Sequence, residues 1–477
     1  MVLKLYNTMT RKKEVFKPLE KGKVRIYTCG QTVYDDLHIG NARTYSYWDI
    51  LRRYLEWKGY DVFHVQNITD VGHLTDDADQ GEDKIEKRAR EKGMEPMVLV
   101  EKQLERYYRD MDDLNILRHH INPRATGHIP EMIELIQRII DNGFAYVVNG
   151  SVYFDVMKFH EKYDYTKMAR IKIEEMEAGA RVEKNPEKKN PLDFALWIKA
   201  EPSHIMKWNS PWSRGYPGWH IECSAMSMKY LGEVFDIHGG GKDHIFPHHS
   251  NERAQSLAAT GKEFVRYWLH ANFIHVSGEK MSKSKGNFYT AREMIDKYGG
   301  EVLRLFYASS HYRKDVDFTE EAMEHARNNL ERIYNTLYLI ESSEGGKKTD
   351  LKDEIKRFVK NFEEAMDDDL DTPKAVKLLL EFCKKVNKSL DNKKEILEEA
   401  GEKIRELGGI LGLKLERKET LDISEQLINE LVKIREALRK KGIYDLSDKI
   451  RSDLLEMGIE LQDTPEGTKW RLKKHSI

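Results

Sequence analysis

Four side chains of this sequence have the chemistry of a transition-metal centre. Cys29 and Cys223 offer thiolates, while His248 and Glu252 offer an imidazole and a carboxylate. Pro247 suits the first position of a helix, and on a helix begun there His248 and Glu252, four residues apart, share one face. Two thiolates, one imidazole and one carboxylate make an acceptable zinc set. The cysteines are far apart in the chain and five histidines crowd residues 218–252, so spacing alone leaves other readings open. Cys29 and Cys223 would also serve as buried small hydrophobes, and a zinc closed by four protein ligands would also serve a purely structural role.

A second chemistry, the handling of a polyphosphate, is written in two loops. The stretch from Thr28 to Asn41 leaves a short alternating run, contains Gly30 and His38-Ile39-Gly40-Asn41, and enters a helix-like run. A strand feeding a glycine loop and a helix N-terminus is a natural anion site, because backbone N–H groups and the helix dipole point there. The loop Gly278 to Asn287 places Lys280, Lys283 and Lys285 within six residues ahead of a helix beginning near Thr290. Mobile ammonium groups of this kind suit charge that develops on a polyphosphate in a transition state; a solvated charged loop is the plain alternative. Gly239, Gly240 and Gly241 follow a predicted strand, where close backbone approach to a ligand and a tight turn explain them equally well.

The elements that must position these residues are legible in part. Lys23 to Thr28 alternates as a strand, Ala42 to Lys58 places Tyr45, Trp48, Leu51 and Leu55 at helical spacing, and Asp61 to Thr69 reads as a second strand. That order predicts a βαβ unit and a parallel sheet, whose ligands bind beyond the carboxyl ends of strands, where Cys29 and Thr69 fall. Helical periodicity is clearest over Glu101 to Leu117 and His128 to Asn142. Phe194 to Ile198, Val234 to His238 and Phe264 to His275 read as a second sheet-like half, separated from the first by an insertion that ends in the Pro-containing stretch before Pro191. From Thr290 onward charged amphipathic helices dominate, with a Ser/Gly/Lys linker at Ser342 to Lys348.

Bulk composition sets limits. A chain of 477 residues exceeds one core and predicts three or four domains. A formal charge of −2 gives no global nucleic-acid signature, so any RNA contact must come from local patches. Three cysteines are too few and scattered for a disulfide framework, and Cys383 lies in an amphipathic run where core packing accounts for it. No apolar leader or long apolar run is present, which predicts a soluble, cytoplasmic protein without membrane partners. Charged residues at 34%, rich in Lys and Glu, fit both a thermophilic source and a well-solvated helical surface.

His38-Ile39-Gly40-Asn41 resembles the HIGH signature of class I aminoacyl-tRNA synthetases, and Lys280-Met281-Ser282-Lys283-Ser284 matches their KMSKS signature in order and separation. The segments around Cys29 and Cys223, with Asp236 to Gly241 and Phe246 to His249, resemble the cysteinyl-tRNA synthetases in particular. So does the tail, from Ser447 to Arg451 and from Asp463 to Arg471. Gln31 departs from the proline usual in that family, giving up a fixed φ but keeping a backbone N–H.

The resemblance implies an α/β fold: a Rossmann-like parallel-sheet catalytic domain split by a connective insertion, then an all-α bundle and a small C-terminal α/β domain. The corresponding segments are 1–117 and 192–275 for the two catalytic halves, 118–191 for the insertion, 276–323 for a stem-contact region with the KMSKS loop, 324–418 for the bundle and 419–477 for an anticodon-binding domain. It also implies one Zn²⁺ on Cys29, Cys223, His248 and Glu252, and Mg²⁺ accompanying ATP. His38, Asn41, Lys280 and Lys283 would be catalytic; ATP would meet these four together with Gly40, Gly239 and Gly240; Cys29, Gly30, Thr69, Trp219 and His238 would receive the amino acid. The implied partners are L-cysteine, ATP and tRNA(Cys), and the implied form is a monomer. Serine differs from cysteine by one atom and a shape-based pocket separates them poorly, whereas a thiolate bonds zinc far better than a hydroxyl. Two other activities share these motifs: a cysteine ligase acting on an amino sugar, and a non-catalytic zinc-dependent RNA-binding relative. The C-terminal helices and the Trp470 to Lys474 tail favour tRNA over the former, and the intact signature loops argue against the latter.

Overall fold

The computed structural model describes residues 2–72, 83–179, 185–276, 278–281, 287–416, 421–464 and 467–472. The predicted βαβ unit is present. Lys23–Thr28 is a strand with Val24 and Ile26 buried, and toward its carboxyl end both faces are covered, since Tyr27 and Thr28 are buried too. The helix Ile39–Trp57 follows, buries Tyr45, Trp48, Leu51 and Leu55, and ends before Gly59, whose φ of +89° is open to glycine at little steric cost. The strand Asp61–Gln66 then returns parallel to the first. With Phe235–Gly241 and Val265–Ala271 these form a four-stranded, wholly parallel sheet in the order 265–271, 235–241, 23–28, 61–66.

Phe194–Lys199 does not join that sheet. It pairs antiparallel with Ser151–Phe154 and Arg214–Pro217 in a separate five-stranded sheet that also contains Ala145–Val148 and Trp208–Asn209. This sheet straddles the boundary expected at 191/192. Phe194, Ala195, Leu196 and Trp197 are all buried, and a strand covered on both faces reads as a continuous apolar run whichever sheet receives it. The periodic stretches ahead of it are the helices Pro96–Asp113 and Ile129–Asp141.

After the parallel sheet, the short strand Ile274–Val276 pairs with Glu279–Lys280 and Val316–Phe318. The helices Glu320–Ser342, Leu351–Asp367, Thr372–Asn387 and Lys394–Ile410 form the bundle. Cys383 is buried among them, and burial pushes its thiol up to about 12, as for an inert packing group. The chain divides into two compact units, Met1–Leu415 and Glu416–Ile477. The second contains the helices Leu421–Lys440 and Tyr444–Glu456 and the hairpin Ile459–Thr464 with Gly467–Leu472, packed on Ile428, Val432, Leu454, Ile459 and Leu461. Its buried Arg435 is held by Asp463 through two hydrogen bonds of 2.7 and 2.9 Å. Among the described residues no helix is long and apolar enough to cross a membrane.

The helix Ile39–Trp57 is fixed to the helix Gly300–Ala308 by a buried ion pair. Arg304 Nη2 donates to Asp49 Oδ2 at 2.6 Å, and the two side chains are 0% and 1% exposed. Asp49 also accepts from Arg53 Nε at 2.8 Å and from the Leu117 amide at 2.9 Å. Burial raises its carboxyl, but Arg304 and Arg53 outweigh burial and the net shift is downward. Gly412 makes room for this pair: at its φ of +82° a Cβ would stand 1.7 Å from Arg304 Nη2. Removing one partner of a buried pair strands the other charge. Asp49→Ala is therefore expected to lower the stability of the chain by about 3–5 kcal/mol in chemical denaturation, whereas replacing Asp49 and Arg304 together by apolar residues of similar volume costs less than the single change.

Candidate active site

The carboxyl ends of the parallel strands open into a cleft of about 430 Å³. Cys29 follows the first strand directly. Cys223 is carried by the helix Trp219–Leu231, and His248 and Glu252 by the helix His248–Thr260. The i, i+4 spacing does what the sequence implied: His248 Nε2 stands 3.0 Å from Glu252 Oε1. Cys29 Sγ donates to the same oxygen at 3.7 Å. Ligand atoms of Cys29, Cys223, His248 and Glu252 all lie within 4.8 Å of one another, and all four residues are buried.

The electrostatics of this cluster favour a cation. Burial works against a charged imidazole, but the Glu252 carboxylate and the Cys223 sulfur outweigh it and raise His248 to about 10. Burial likewise opposes ionised Glu252, and His238 and His248 overcome it to hold the carboxyl well below its usual range. The hydrogen bond with Cys29 draws the Cys223 thiol down despite burial, while burial and the neighbouring Cys223 and Glu252 push Cys29 up. Two sulfurs, one nitrogen and one carboxylate oxygen in this arrangement fit Zn²⁺. His220 Nδ1 lies 2.9 Å from His248 Nδ1 and so fixes the ring with Nε2 toward the cluster.

A second set, Cys29, His238, His249 and Glu252, is equally compact. Cys29, Cys223 and His248 line the cleft, whereas His238 and His249 do not, so only the first set is open to a small molecule there. His249 has another task. Its Nε2 contacts Cys29 Sγ at 3.2 Å, its Nδ1 meets His270 Nε2 at 2.8 Å, and His270 Nδ1 meets Thr8 Oγ1 at 2.8 Å. This chain of contacts fixes the sulfur from behind.

His38 is the N-cap of the helix Ile39–Trp57, its Nδ1 accepting from the amides of Gly40 at 3.1 Å and Asn41 at 3.2 Å. The sequence suggested that amides at this helix start would face an anion. Two of them are taken by His38 itself. Because Nδ1 accepts, the neutral ring carries its proton on Nε2. Asn41 donates through Nδ2 to Gln31 Oε1 at 3.2 Å, and Gln31 in turn reaches the Asp35 carbonyl at 3.4 Å. His38, Gly40, Asn41 and Gln31 all line the cleft.

The two signature loops come together. The Ile39 amide donates to the Tyr289 carbonyl at 3.2 Å and the Ala291 amide to the Leu37 carbonyl at 2.6 Å. Phe288 lies edge-on to the His38 ring at 5.7 Å, and a Cβ on Gly40 would come within 3.3 Å of Met281 Cε. Met281 and Phe288 both line the cleft. Lys280 ends the short strand Glu279–Lys280; Lys283 lies outside the described residues.

Of the residues assigned to the amino acid, Cys29, Gly30, Thr69 and Trp219 line the cleft, with Trp219 4.5 Å from the His248 ring. A Cβ on Gly30 would stand 1.8 Å from the Asn67 carbonyl oxygen, so the strand ends can approach only around glycine. His238 instead stands wholly buried behind Glu252, 2.9 Å from Oε2 and stacked on Trp268 at 4.8 Å. Gly239 and Gly240 also lie off the cleft. Their missing Cβ atoms make room for Trp48 and for the His244 and His249 rings, whereas Gly241 reaches the cleft wall.

Three residues escaped the sequence reading. Glu222 Oε2 accepts from Thr69 Oγ1 at 3.1 Å, and Asn67 bonds both the Gly30 amide at 2.8 Å and Thr69 Oγ1 at 3.0 Å. Arg43, wholly buried, donates to the carbonyls of Asn272 (2.5 Å), His311 (3.1 Å) and Lys314 (2.8 Å). Glu222 adjoins Cys223 and Arg43 closely follows the tetrad, which is the only signal their positions carried.

Comparison with known proteins identifies the family. Residues 15–328 match the family model described as the class I (C) tRNA synthetase catalytic domain, and residues 361–416 match the DALR domain. The chain is 48% identical over 486 residues to the cysteine–tRNA ligase of Thermococcus gammatolerans, with 99% of each chain covered. It is 46% identical over 492 residues to that of Chlorobaculum tepidum, again with 99% of each covered. A solved structure of Mycobacterium tuberculosis methionyl-tRNA synthetase in complex with methionyl-adenylate shares the fold, with a TM-score of 0.62 and 16% identity over 83% of this chain and 92% of that one. The catalytic-domain match and the full-length relatives together establish that the chain belongs to the cysteine–tRNA ligase family of class I tRNA synthetases.

Proposed function

We propose that this chain activates L-cysteine with ATP to cysteinyl-adenylate and transfers the cysteinyl group to the 3′ end of tRNA(Cys). One observation carries the reading: Cys29, Cys223 and His248 open onto the same cleft as His38, Gly40 and Asn41, so a thiol-bearing amino acid and a nucleotide meet in one space. Zn²⁺ fits the donor set of Cys29, Cys223, His248 and Glu252; when bound it would supply a borderline Lewis acid that favours a thiolate over a hydroxyl and lowers the thiol pKa. Trp219, Gly30 and Thr69 surround the amino-acid end, and Glu222 orients Thr69. His238 and His249 act from behind, holding Glu252 and Cys29.

In the activation step a carboxylate oxygen of cysteine attacks the α-phosphorus of ATP, and the bond to the bridging α–β oxygen breaks to release pyrophosphate. His38 offers its Nε2 proton to the nucleotide phosphates, and Asn41 has an amide N–H beyond the one given to Gln31. Lys280 and Lys283 neutralise charge on the departing pyrophosphate. Mg²⁺ would arrive with ATP, held mostly by the phosphates. The tRNA ribose hydroxyl then attacks the acyl carbon and AMP leaves. The bundle and the unit 416–477 are assigned to tRNA, the latter to the anticodon, and the working form is a cytoplasmic monomer.

The deciding experiment charges total tRNA with labelled cysteine or serine, with and without a chelator. Cysteine charging that the chelator abolishes, with serine near background throughout, is the expected outcome; chelator-resistant charging, or serine charged as well as cysteine, overturns the reading. Lys283→Ala is expected to lower cysteine-dependent ATP–pyrophosphate exchange by on the order of 10²-fold or more at unchanged zinc content. Cys223→Ser should lose zinc and cysteine affinity together, as metal analysis and equilibrium binding of labelled cysteine would report.

A further inference from the structure

A second cluster of metal-ligating side chains lies outside the donor set above. Asp83 and Glu86 belong to the start of the helix Lys84–Glu91, and His204 to the loop between the strands Phe194–Lys199 and Trp208–Asn209. One ligand atom from each falls within 4.8 Å of the others. His204 Nε2 is 3.7 Å from Asp83 Oδ2 and His204 Nδ1 is 3.9 Å from Glu86 Oε1, so the ring edge faces both carboxylates. The three side chains are 10%, 1% and 15% exposed in the order His204, Asp83, Glu86.

Each group is already held in place, yet two of the atoms that meet, one on Asp83 and one on His204, are not satisfied. Asp83 Oδ1 caps the helix, accepting from the amides of Ile85 at 2.8 Å and Glu86 at 2.9 Å. Glu86 Oε1 accepts from the amides of Ile205 at 2.7 Å and Met206 at 3.3 Å. His204 stacks on Tyr216 at 4.3 Å. Gly72 leaves the space that Asp83 fills, since a Cβ there would stand 1.7 Å from Oδ1. Asp83 Oδ2 and His204 Nε2 are buried with no hydrogen-bond partner among the described residues. A buried carboxylate oxygen without a donor costs free energy unless a cation meets it. The ten residues before Asp83 contain Asp76, Asp77, Asp79 and Glu82 and no lysine or arginine.

We propose that Asp83, Glu86 and His204 bind a second divalent cation of the borderline class, such as Zn²⁺ or Co²⁺. Two carboxylates and an imidazole suit these ions better than Ca²⁺, which takes oxygen alone. The site would pin the loop at His204 to a helix that bears on the cleft twice, through Lys84 in its wall and through Arg88, whose Nη2 reaches Asp35 Oδ1 at 3.4 Å.

The test is a Co²⁺ titration of the metal-stripped full chain, followed by bound metal and by absorption. Thiolate-bound Co²⁺ at Cys29 and Cys223 gives intense sulfur-to-metal charge-transfer absorption; Co²⁺ on oxygen and nitrogen does not. Wild type is expected to bind a second Co²⁺ without that absorption. His204→Gln and Asp83→Asn, the latter keeping a helix-capping oxygen, are expected to lose only this ion, and the retained thiolate band shows that each variant is folded. A wild type that binds only thiolate-held Co²⁺, or variants that bind as much as wild type, overturns the proposal. Cys223→Ser separates the two sites: loss of the band with one Co²⁺ still bound, and that ion lost on adding His204→Gln, upholds the second site whatever becomes of the first.

Discussion

The site is organised by one buried carboxylate. Glu252 is wholly buried, and transferring an ionised carboxylate from water to such a place costs several kcal/mol unless positive charge and hydrogen bonds meet it. His238 at 2.9 Å and His248 at 3.0 Å do so, and a metal held by His248 would take the place of that ring's proton. This explains an otherwise odd helix. His248, His249, Ser250, Asn251, Glu252 and Arg253 are polar and all buried, each with its own partner. Ser250 donates to the Ile245 carbonyl at 2.7 Å, and Arg253 pairs with Glu263 at 2.6 Å. A helix that is polar and interior is retained because its side chains are satisfied one by one.

The loop that carries the tetrad depends on a different fastening. The tetrad caps its own helix through His38, and the backbone around it is bonded to residues 289–291, just beyond the lysine loop. Arg43 ties the same helix to Asn272, His311 and Lys314, and Asp49 ties its middle to Arg304. Signature residues far apart in sequence therefore share one frame. Gln31 takes part as well: by accepting from Asn41 it orients the amide, a contact a proline at that position has no side-chain oxygen to make.

Where residues act locally, the sequence was a sound guide. Alternation over Lys23–Thr28, helical spacing through Tyr45, Trp48, Leu51 and Leu55, and the i, i+4 pairing of His248 with Glu252 are short-range consequences of backbone geometry. Gly239 and Gly240 show the limit of that guide. A glycine reports that something comes close to the backbone, but not what; here the space its Cβ would fill is taken by Trp48 and two imidazoles. His238 likewise carries an imidazole fit for a pocket wall, and only its neighbours place it behind Glu252.

The sequence by itself determined the family, through two signature motifs in order, and the elements whose periodicity is local. Tertiary structure alone decided what depends on pairing between distant segments. Phe194–Lys199 is apolar on both faces and would suit either sheet, so its membership in the antiparallel one follows from its partners Ser151–Phe154 and Arg214–Pro217. Cys29 and Cys223 become neighbours because parallel strands end along one edge and the helix from Trp219 starts there. Asp83, Glu86 and His204 meet for the same kind of reason, through a loop and a helix brought together by packing. Side-chain chemistry is written residue by residue, but the distance between two such residues is set by every contact that folds the chain between them.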